Sequence, residues 1–580
     1  MKKLLALLLG LLALPALAQT GVSSAETAPC DAVVQKFITR WKIPGASVAI
    51  SRHGELVYAR GFGYADLARK KPMTPATLLR VASVSKPVTS IAIMKLVEDG
   101  QLELQHKVFG PTGYLDDAYY TSVITDQRIY NITVRQLLEH TGGWNRDAGV
   151  DDRRNSDPVD FPLHVAQVMQ VPNPVGDSTL VRYLLSRGLN FTPGTRFAYS
   201  NIGYLVLGKV IEKVTGQRYE DWVRGHVLLP SGVQEAHLAH NLRTSKRENE
   251  AEYFCPLTNE SCYGTGKRVP FAYGGANIEA MNAHGGWLFT ARDLVRLLLT
   301  VDKSPTRPDM LLPATIDTMT APSEASRRYA KGWMVNKRGV WWHTGYLNGS
   351  SSIIARTADG YTWAILLNAC PNTNRFWNDL EGLGWDCINR PNAWPSNDLF
   401  PPGQNAADLQ LARTTPTSAT LAWTNGDGTH RLVVMREDEP VDAFPLDGQL
   451  YTSGSVFGQG TSLGRGNYVV AAGADSVVQV SRLQPGRTYY ARVIEYRLDE
   501  KTNLLPVYTV DNNPVLRSQI PKAAAPLAKS KAKAGSRSKA VASKTRAQKA
   551  ASTAKSQQQN PQPTASQSSY LARLRGLLNW

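Results

Sequence analysis

Two serines and a lysine stand directly before a run with helical periodicity in the segment VASVSKPVTSIAIMKLVEDG, Val81 to Gly100. Ser83 and Lys86 have the form S-x-x-K, so a helix starting near Ser83 places the amine and the hydroxyl on one face. A serine hydroxyl becomes a nucleophile when a base takes its proton, and an amine with a lowered pKa is such a base. Serine before a helix is also an ordinary N-cap. Alone, the segment supports a structural cap at least as well as a nucleophile.

Two further motifs favour the nucleophile. Tyr199-Ser200-Asn201 stands just before an apolar helical pattern in the middle of the chain. His343-Thr344-Gly345 stands on a strand predicted late in the chain. A nucleophile from one helix, a phenol and an amide from a second segment and a polar strand edge are the parts of a cleft for acyl transfer.

The three motifs, in this order, resemble those of the serine β-lactamase and penicillin-binding-protein superfamily. The resemblance is to its class C-like branch of β-lactamases, D-alanyl-D-alanine peptidases and related esterases. It covers roughly Asp31 to Ala393 and includes two supporting stretches, ITVRQLLEHTGGW at 132–144 and HGGWLFTARDLVRLLL at 284–299. The usual class A set has S-D-N and K-T-G. Here Tyr-Ser-Asn replaces the first motif, and histidine replaces the lysine of the second.

The resemblance implies how protons move in the site. Ser83 is the expected nucleophile that becomes acylated, and Lys86 and Tyr199 are expected to share the proton transfers. The charge of Lys86 is expected to favour a phenolate-like Tyr199, and Asn201 is expected to position the lysine and the substrate amide. Whether Lys86 or Tyr199 is the acylation base stays open, because coupled groups do not divide the role cleanly.

The resemblance also implies where the substrate binds. The backbone N–H groups of Ser83 and Tyr346 are the expected oxyanion hole, and His343 and Thr344, followed by Gly345, are expected to contact the acyl side of the substrate. A lysine at the position of His343 is permanently charged, whereas histidine with a pKa of about 6.5 is mostly neutral at pH 7. Catalysis is compatible with this change, and strong β-lactam hydrolysis is less expected.

The elements that position these motifs are strands at both ends of a long segment and helices between them. GASVAISR and ELVYARGFGYAD predict a hairpin around His53-Gly54, and KGWMVNK, GVWWHTG and SSIIARTADGYTWAILLN predict late strands. The pattern predicts an α/β (α+β) fold, with one antiparallel sheet flanked by helices and an inserted helical lobe, of the serine β-lactamase type by resemblance. The cleft then lies between sheet and lobe.

The C-terminal part has a different pattern. After WPSNDLFPPGQN, short β-rich runs resemble a bacterial fibronectin type III-like sandwich, with Trp423 in an early strand and the tyrosine-corner pattern L-x-P-x-x-x-Y at 483–489. Gly460-Thr461-Ser462-Leu463-Gly464 matches G-x-S-x-G but lies in a glycine-rich loop before a strand, so Ser462 is not a candidate nucleophile.

The predicted boundaries are 1–18 for a signal peptide, 19–393 for the hydrolase-like domain, 394–405 for a linker, 406–519 for the sandwich, 520–569 for a disordered basic tail and 570–580 for a short amphipathic segment.

The N-terminus indicates export, and this bears on the state of the cysteines. MKKLLALLLGLLALPALAQT has two lysines, a short apolar run and an Ala16-Leu17-Ala18 cleavage pattern, which predicts a secretory signal and a periplasmic or secreted protein. No later stretch offers the roughly 20 uninterrupted apolar residues of a membrane span. The five cysteines of an exported protein would lie in an oxidising compartment, where disulfides persist. Cys255 can pair with Cys262, while Cys370 and Cys30 compete for Cys387.

The net charge of +17 belongs mainly to the tail. Residues 520–580 hold twelve Lys or Arg and no Asp or Glu, so the rest of the chain is close to neutral. We expect a small-molecule or peptide acyl donor as substrate, no metal or cofactor, and a cell-wall or envelope polymer as partner of the sandwich and tail, with nucleic acid disfavoured for an exported protein. The alternative is a non-catalytic envelope scaffold that keeps the hydrolase fold for recognition.

Overall fold

The structure, a computed structural model, describes residues 19–147, 157–499, 504–510 and 512–522. The predicted signal peptide and the amphipathic C-terminal segment lie outside these residues, as does the basic tail from 523 onward. Every helix within the described ranges is too short or too polar to cross a bilayer.

One large antiparallel sheet is built from both ends of the 19–393 region. It runs β1-β3-β2-β13-β12-β11-β10, with β4 paired to β3. The predicted hairpin and late strands are therefore confirmed, although the strand expected at KGWMVNK is reduced to two residues. The strands are β1 Gln19–Thr20, β2 Gly45–Arg52, β3 Glu55–Asp66, β4 Lys71–Pro72, β10 Met334–Val335, β11 Trp341–Leu347, β12 Ser350–Arg356 and β13 Tyr361–Leu367.

Helices cover both faces of this sheet and form the lobe between its two halves. Along β2 the buried side chains alternate, with Val48 and Ile50 packing under the first and last helices of the region and Ala49 facing the opposite core. The α/β fold class with its inserted lobe is confirmed. The helices are α1 Ala28–Trp41, α2 Ser85–Glu98, α3 Ala118–Thr121, α4 Val134–Leu138, α5 Pro162–Met169, α6 Asp177–Leu185, α7 Asn201–Thr215, α8 Tyr219–Val223, α9 Asn282–Gly285, α10 Ala291–Leu298, α11 Pro313–Thr320 and α12 Asn374–Asn389.

Two small sheets lie beside the lobe. The first has the strand order β5-β9-β6, and its strand β5 directly precedes the turn that leads into α2. The second is the pair β7-β8. Their strands are β5 Leu79–Arg80, β6 Ala236–Leu238, β7 Thr258–Glu260, β8 Arg268–Pro270 and β9 Trp287–Phe289.

The C-terminal region is all β and forms two sheets, β14-β15-β19 and β17-β18-β16-β20-β21, with β22 on β20. Tyr489 accepts a hydrogen bond from the N–H of Gln484 at 3.0 Å and donates to Glu437 at 2.7 Å. The phenol thus ties the turn to nearby backbone, while the fibronectin resemblance itself stays a prediction. The strands are β14 Ala407–Thr415, β15 Ser418–Thr424, β16 His430–Glu437, β17 Ser462–Gly464, β18 Asn467–Gly473, β19 Val477–Ser481, β20 Thr488–Asp499, β21 Leu504–Tyr508 and β22 Val515–Gln519.

The predicted linker packs against the first region instead of crossing solvent. Leu399 and Phe400 are buried in the main core. Asp398 accepts from the N–H of Leu56 at 3.1 Å and pairs with Arg307 at 2.7 Å. The two regions therefore meet through a packed connection.

Cys30 of α1 and Cys387 of α12 form a disulfide, which joins positions 357 residues apart. Of the pairings left open by the sequence, this one uses Cys387 and leaves Cys255, Cys262 and Cys370 as free thiols. The bond ties the first helix of the fold to the last, on the same face of the large sheet.

Candidate active site

Ser83 lies in a short turn that leads from β5 into α2. The turn is a 3-10 helix over Ala82–Val84, and the α-helix begins at Ser85, two residues later than the sequence suggested. Ala82 has a left-handed backbone with φ of 49°, an uncommon conformation for a residue with a Cβ. Ser83 is half-buried between the buried Ala82 and Val84. Its hydroxyl is therefore held on a constrained turn and stays accessible.

The large sheet anchors this turn through Val81. The N–H of Val81 donates to the carbonyl of Trp287 at 3.0 Å, and its carbonyl accepts from the hydroxyl of Ser352 at 2.7 Å. Gly345, the last residue of the His-Thr-Gly motif, lies against the same carbonyl, and a Cβ there would clash with it. Glycine lets β11 approach the nucleophile segment.

Lys86 is fully buried on the first turn of α2. Its Nζ donates to Ser83 Oγ at 3.2 Å, to Asn201 Oδ1 at 2.8 Å and to the carbonyl O of His284 at 2.9 Å. The structure therefore brings the serine and lysine of the S-x-x-K motif together and adds the predicted Asn201 as a partner of the amine. Ser85, by contrast, accepts the N–H of Trp287 at 3.2 Å, which is a structural contact.

The lobe supplies Tyr199 and Asn201 at the start of α7. Ser200 caps this helix by accepting from the N–H of Gly203, so its two neighbours face the cleft from a fixed helix start. The Tyr199 phenol interacts with the Ser83 hydroxyl, and its ring centroid lies 4.8 Å from Lys86 Nζ. Serine, lysine, phenol and amide thus form one cluster, as the motifs predicted.

The electrostatics of the cluster favour the neutral forms of both candidate bases. Burial, with the nearby Arg146 charge, holds the pKa of Lys86 well below its ordinary value, although Asp157 opposes the shift. Burial likewise raises the pKa of Tyr199 above its ordinary value. The expectation of a phenolate-like Tyr199 therefore finds no support here, since an uncharged amine does not stabilise a phenolate.

His343, Thr344, Gly345 and Tyr346 lie on β11, beside the turn that carries Ser83. His343 is buried, with 3% of its surface exposed, and burial together with Lys86 lowers its pKa to about 3. Thr344 and Tyr346 are half-buried. The motif is in place at the cleft, but its histidine is a neutral ring at physiological pH.

Several residues that shape the site carry no motif of their own. Asp157 accepts the N–H of Asn201 at 3.1 Å, and burial with the neighbouring Asp160 raises its pKa to about 6. Arg146 pairs with Asp160 at 3.7 Å and donates its N–H to the carbonyl of Tyr199. His140 packs on the Tyr199 ring at 4.3 Å between centroids. Only His140 had a sequence signal, because it lies in the supporting stretch 132–144.

The described residues contain no group of three or more His, Cys, Asp or Glu side chains suited to a metal ion. The chemistry that the site itself can perform is proton transfer from Ser83 to a buried amine, which requires no such ion.

The fold and the cluster define the class of β-lactamase-fold serine hydrolases. The chain belongs to the Beta-lactamase family, whose model matches residues 30–380.

Similar proteins are distant. Protein flp of Staphylococcus aureus (strain MW2) is 26% identical over 343 residues, which cover 58% of this chain and 62% of flp. The chain thus spans less than two thirds of the length of that relative. Esterase EstB of Burkholderia gladioli is 29% identical over 339 residues, covering 55% of this chain and 78% of EstB. The solved D-amino acid amidase from Ochrobactrum anthropi SV3 has a TM-score of 0.49 at 20% identity, covering 63% of this chain and 99% of the amidase, too distant a likeness to bear on function.

Proposed function

We propose that the protein is a serine hydrolase that forms an acyl-enzyme at Ser83 on ester or amide bonds. The observation that carries the proposal is the fully buried Lys86 amine, 3.2 Å from the Ser83 hydroxyl. Lysine is almost never fully buried unless its charge is paired, because removing a charge from water is costly; a buried lysine without such a partner becomes neutral instead. An amine held neutral beside a hydroxyl is a general base for it.

The proposed reaction has two halves. Lys86, aided by Tyr199, accepts the Ser83 proton as the oxygen attacks the acyl carbon, and the backbone N–H groups of Ser83 and Tyr346 stabilise the oxyanion. The Tyr199–Lys86 pair then returns the proton to the leaving group. Water or an amine subsequently releases the acyl group by the reverse path. The substrate candidates are small esters, D-Ala-D-Ala-type peptides and β-lactams.

Covalent labelling tests this proposal. A fluorophosphonate probe or a fluorescent penicillin should label the protein, and Ser83→Ala should abolish both labelling and turnover of 4-nitrophenyl esters. Ser462→Ala is the matched control, because Ser462 has the local G-x-S-x-G pattern but is exposed on β17, in the C-terminal sheets. Folded protein that neither reagent labels and that turns over no ester would refute the proposal and leave the scaffold alternative.

We also propose that the protein is exported. The disulfide between Cys30 and Cys387 supports this, because such bonds persist in oxidising compartments. Sequencing the N-terminus of the protein recovered from outside the cytoplasm should find a start near Gln19. Recovery of the full-length chain from the cytoplasm alone would contradict it.

We propose further that the C-terminal β region and basic tail contact an anionic envelope polymer. The twelve Lys and Arg side chains of residues 520–580, eleven of which lie beyond residue 522, give a salt-dependent affinity that does not depend on the sequence of the polymer. Deleting residues from 523 onward should reduce sedimentation with anionic cell-wall polymer at low salt and leave ester turnover intact. Binding that is equal with and without the tail, or that resists high salt, would contradict the proposal.

A further inference from the structure

Three buried side chains form a hydrogen-bonded chain that ends at the strand edge of the site. His140 Nε2 lies 3.1 Å from the Tyr329 hydroxyl, which lies 3.3 Å from His343 Nε2. Between 2% and 4% of the surface of each of these residues is exposed. They come from three separate segments: His140 lies two residues beyond the end of α4, Tyr329 lies in the loop before β10, and His343 lies on β11. Both ring nitrogens of His343 are therefore engaged within the protein.

Backbone groups at the two ends fix the direction of this chain. The N–H of Ser200 donates to His140 Nδ1 at 3.2 Å, so the proton of the neutral His140 ring lies on Nε2 and is donated to Tyr329. His343 Nδ1 lies 2.7 Å from the carbonyl O of Thr344, which can only accept, so Nδ1 carries the proton of that ring. His343 Nε2 is then unprotonated and accepts a hydrogen bond from the Tyr329 O–H.

The surroundings oppose a positive charge on His343. Burial is the largest cause that lowers the pKa of His343, and a charge on Lys86 of α2, whenever the amine is protonated, acts in the same direction. Burial likewise is the largest cause that lowers the pKa of His140. The Tyr204 phenol of α7 donates its own proton to the carbonyl O of Leu138 at 2.7 Å.

We propose that His140 and Tyr329 are positioning residues that hold His343 as an uncharged ring whose Nε2 already accepts a hydrogen bond. The site therefore selects acyl donors that place no carboxylate against this edge. The inference rests on the proposed hydrolase function and narrows its substrates from the three candidates to uncharged esters and amides. A carboxylate placed against a neutral, buried edge loses hydration without gaining a counter-charge, which is unfavourable.

Matched substrate pairs test the selection. The first pair is 4-nitrophenyl hexanoate and mono-4-nitrophenyl adipate, which differ in a carboxylate at the end of the acyl chain. The second pair is methyl 3-acetoxybenzoate and 3-acetoxybenzoate, which differ on the leaving group. We expect kcat/KM to favour the uncharged member of at least one pair about tenfold or more, corresponding to about 1.4 kcal/mol. That ratio should stay flat between about pH 5.5 and 8, the range in which an ordinary histidine titrates.

Two variants test the residues themselves. His343→Lys should raise the relative kcat/KM of the charged ester, because a lysine ammonium at the edge would pair with the substrate carboxylate. Tyr329→Phe should leave Nε2 open to water, so that the ester preference becomes pH-dependent and nitrogen-15 spectra show His343 leaving its single Nδ1–H tautomer. Tyr58→Phe is the control, since Tyr58 is an equally buried tyrosine whose hydroxyl donates to Asp31 under the opposite face of the sheet.

The outcomes separate this inference from the proposed function. A labelled, active protein that prefers the charged esters, or whose preference shifts with pH, overturns the inference and keeps the hydrolase. The same holds if His343→Lys leaves the preference unchanged, or if Tyr329→Phe matches Tyr58→Phe in both the pH profile and the spectra. Absence of labelling and of turnover with every ester overturns the proposed function itself.

Discussion

Replacing Gly345 by alanine should damage the site through a single added methyl group. A Cβ at this position would lie 2.1 Å from the carbonyl O of Val81, and the next closest group is the hydroxyl of Ser352. An ordinary C···O contact is about 3.3 Å or more, so β11 and the Ser83 turn must separate by about 1 Å. Overpacking of this kind costs about 1–3 kcal/mol. A displacement of about 1 Å between catalytic groups lowers turnover about 100-fold.

The assay compares 4-nitrophenyl ester turnover and thermal unfolding of Gly345→Ala with those of Gly382→Ala. Gly382 lies within α12 with no atom near enough to meet a Cβ, so alanine there should leave turnover unchanged and stabilise the helix by up to about 1 kcal/mol. Turnover should fall in Gly345→Ala even at temperatures at which it is fully folded. Wild-type turnover and stability in Gly345→Ala would refute the account of how β11 positions the nucleophile.

Two substitutions beside the buried amine should move the acidic limb of the kcat/KM profile in opposite directions. Asp157→Asn removes an anion that raises the pKa of Lys86 and of Tyr199, so the acidic limb should move to lower pH. Arg146→Met removes a cation that lowers both pKa values, so the limb should move to higher pH. Movement of the limb in the same direction in both variants would contradict this assignment. Substituting Cys30 and Cys387 by alanine should lower the free energy of unfolding, by up to about 5 kcal/mol in the chain-entropy treatment of so long a loop. Thermal melts that match the wild type, with the disulfide shown intact in the wild type, would argue against that contribution.

Local patterns in the sequence predicted the parts of the site but not their surroundings. The strands around His53 and after Met334 follow from alternation and turn residues, and the three motifs identify Ser83, Lys86 and their partners. The left-handed Ala82 has no such signal, and it follows Val81, which hydrogen bonds hold to Trp287 and Ser352 in two different sheets. The pairing of Cys30 with Cys387 could not be chosen either, since it depends on which ends of the fold meet.

The same limit applies to the charges. The sequence alone assigns His343 the ordinary pKa of a histidine. It leaves open whether the surroundings shift that pKa, because burial is a property of the packed structure. The expectation that Lys86 acts as a cation on Tyr199 stays a prediction for the same reason, since burial lowers the pKa of Lys86. The hydrogen-bonded series from His140 through Tyr329 to His343 joins residues up to about 200 positions apart, so no local pattern in the sequence connects them.

The hydrogen bonds of Lys86 explain how a buried amine can exchange a proton with Ser83 without moving its neighbours. Asn201 Oδ1 and the His284 carbonyl can only accept, while the Ser83 hydroxyl can accept or donate. As an ammonium, Lys86 donates to all three. As a neutral amine it donates to the first two and turns its lone pair to the Ser83 O–H. Both protonation states are thus satisfied by one arrangement of heavy atoms, and burial tilts the balance toward the neutral state that accepts the serine proton.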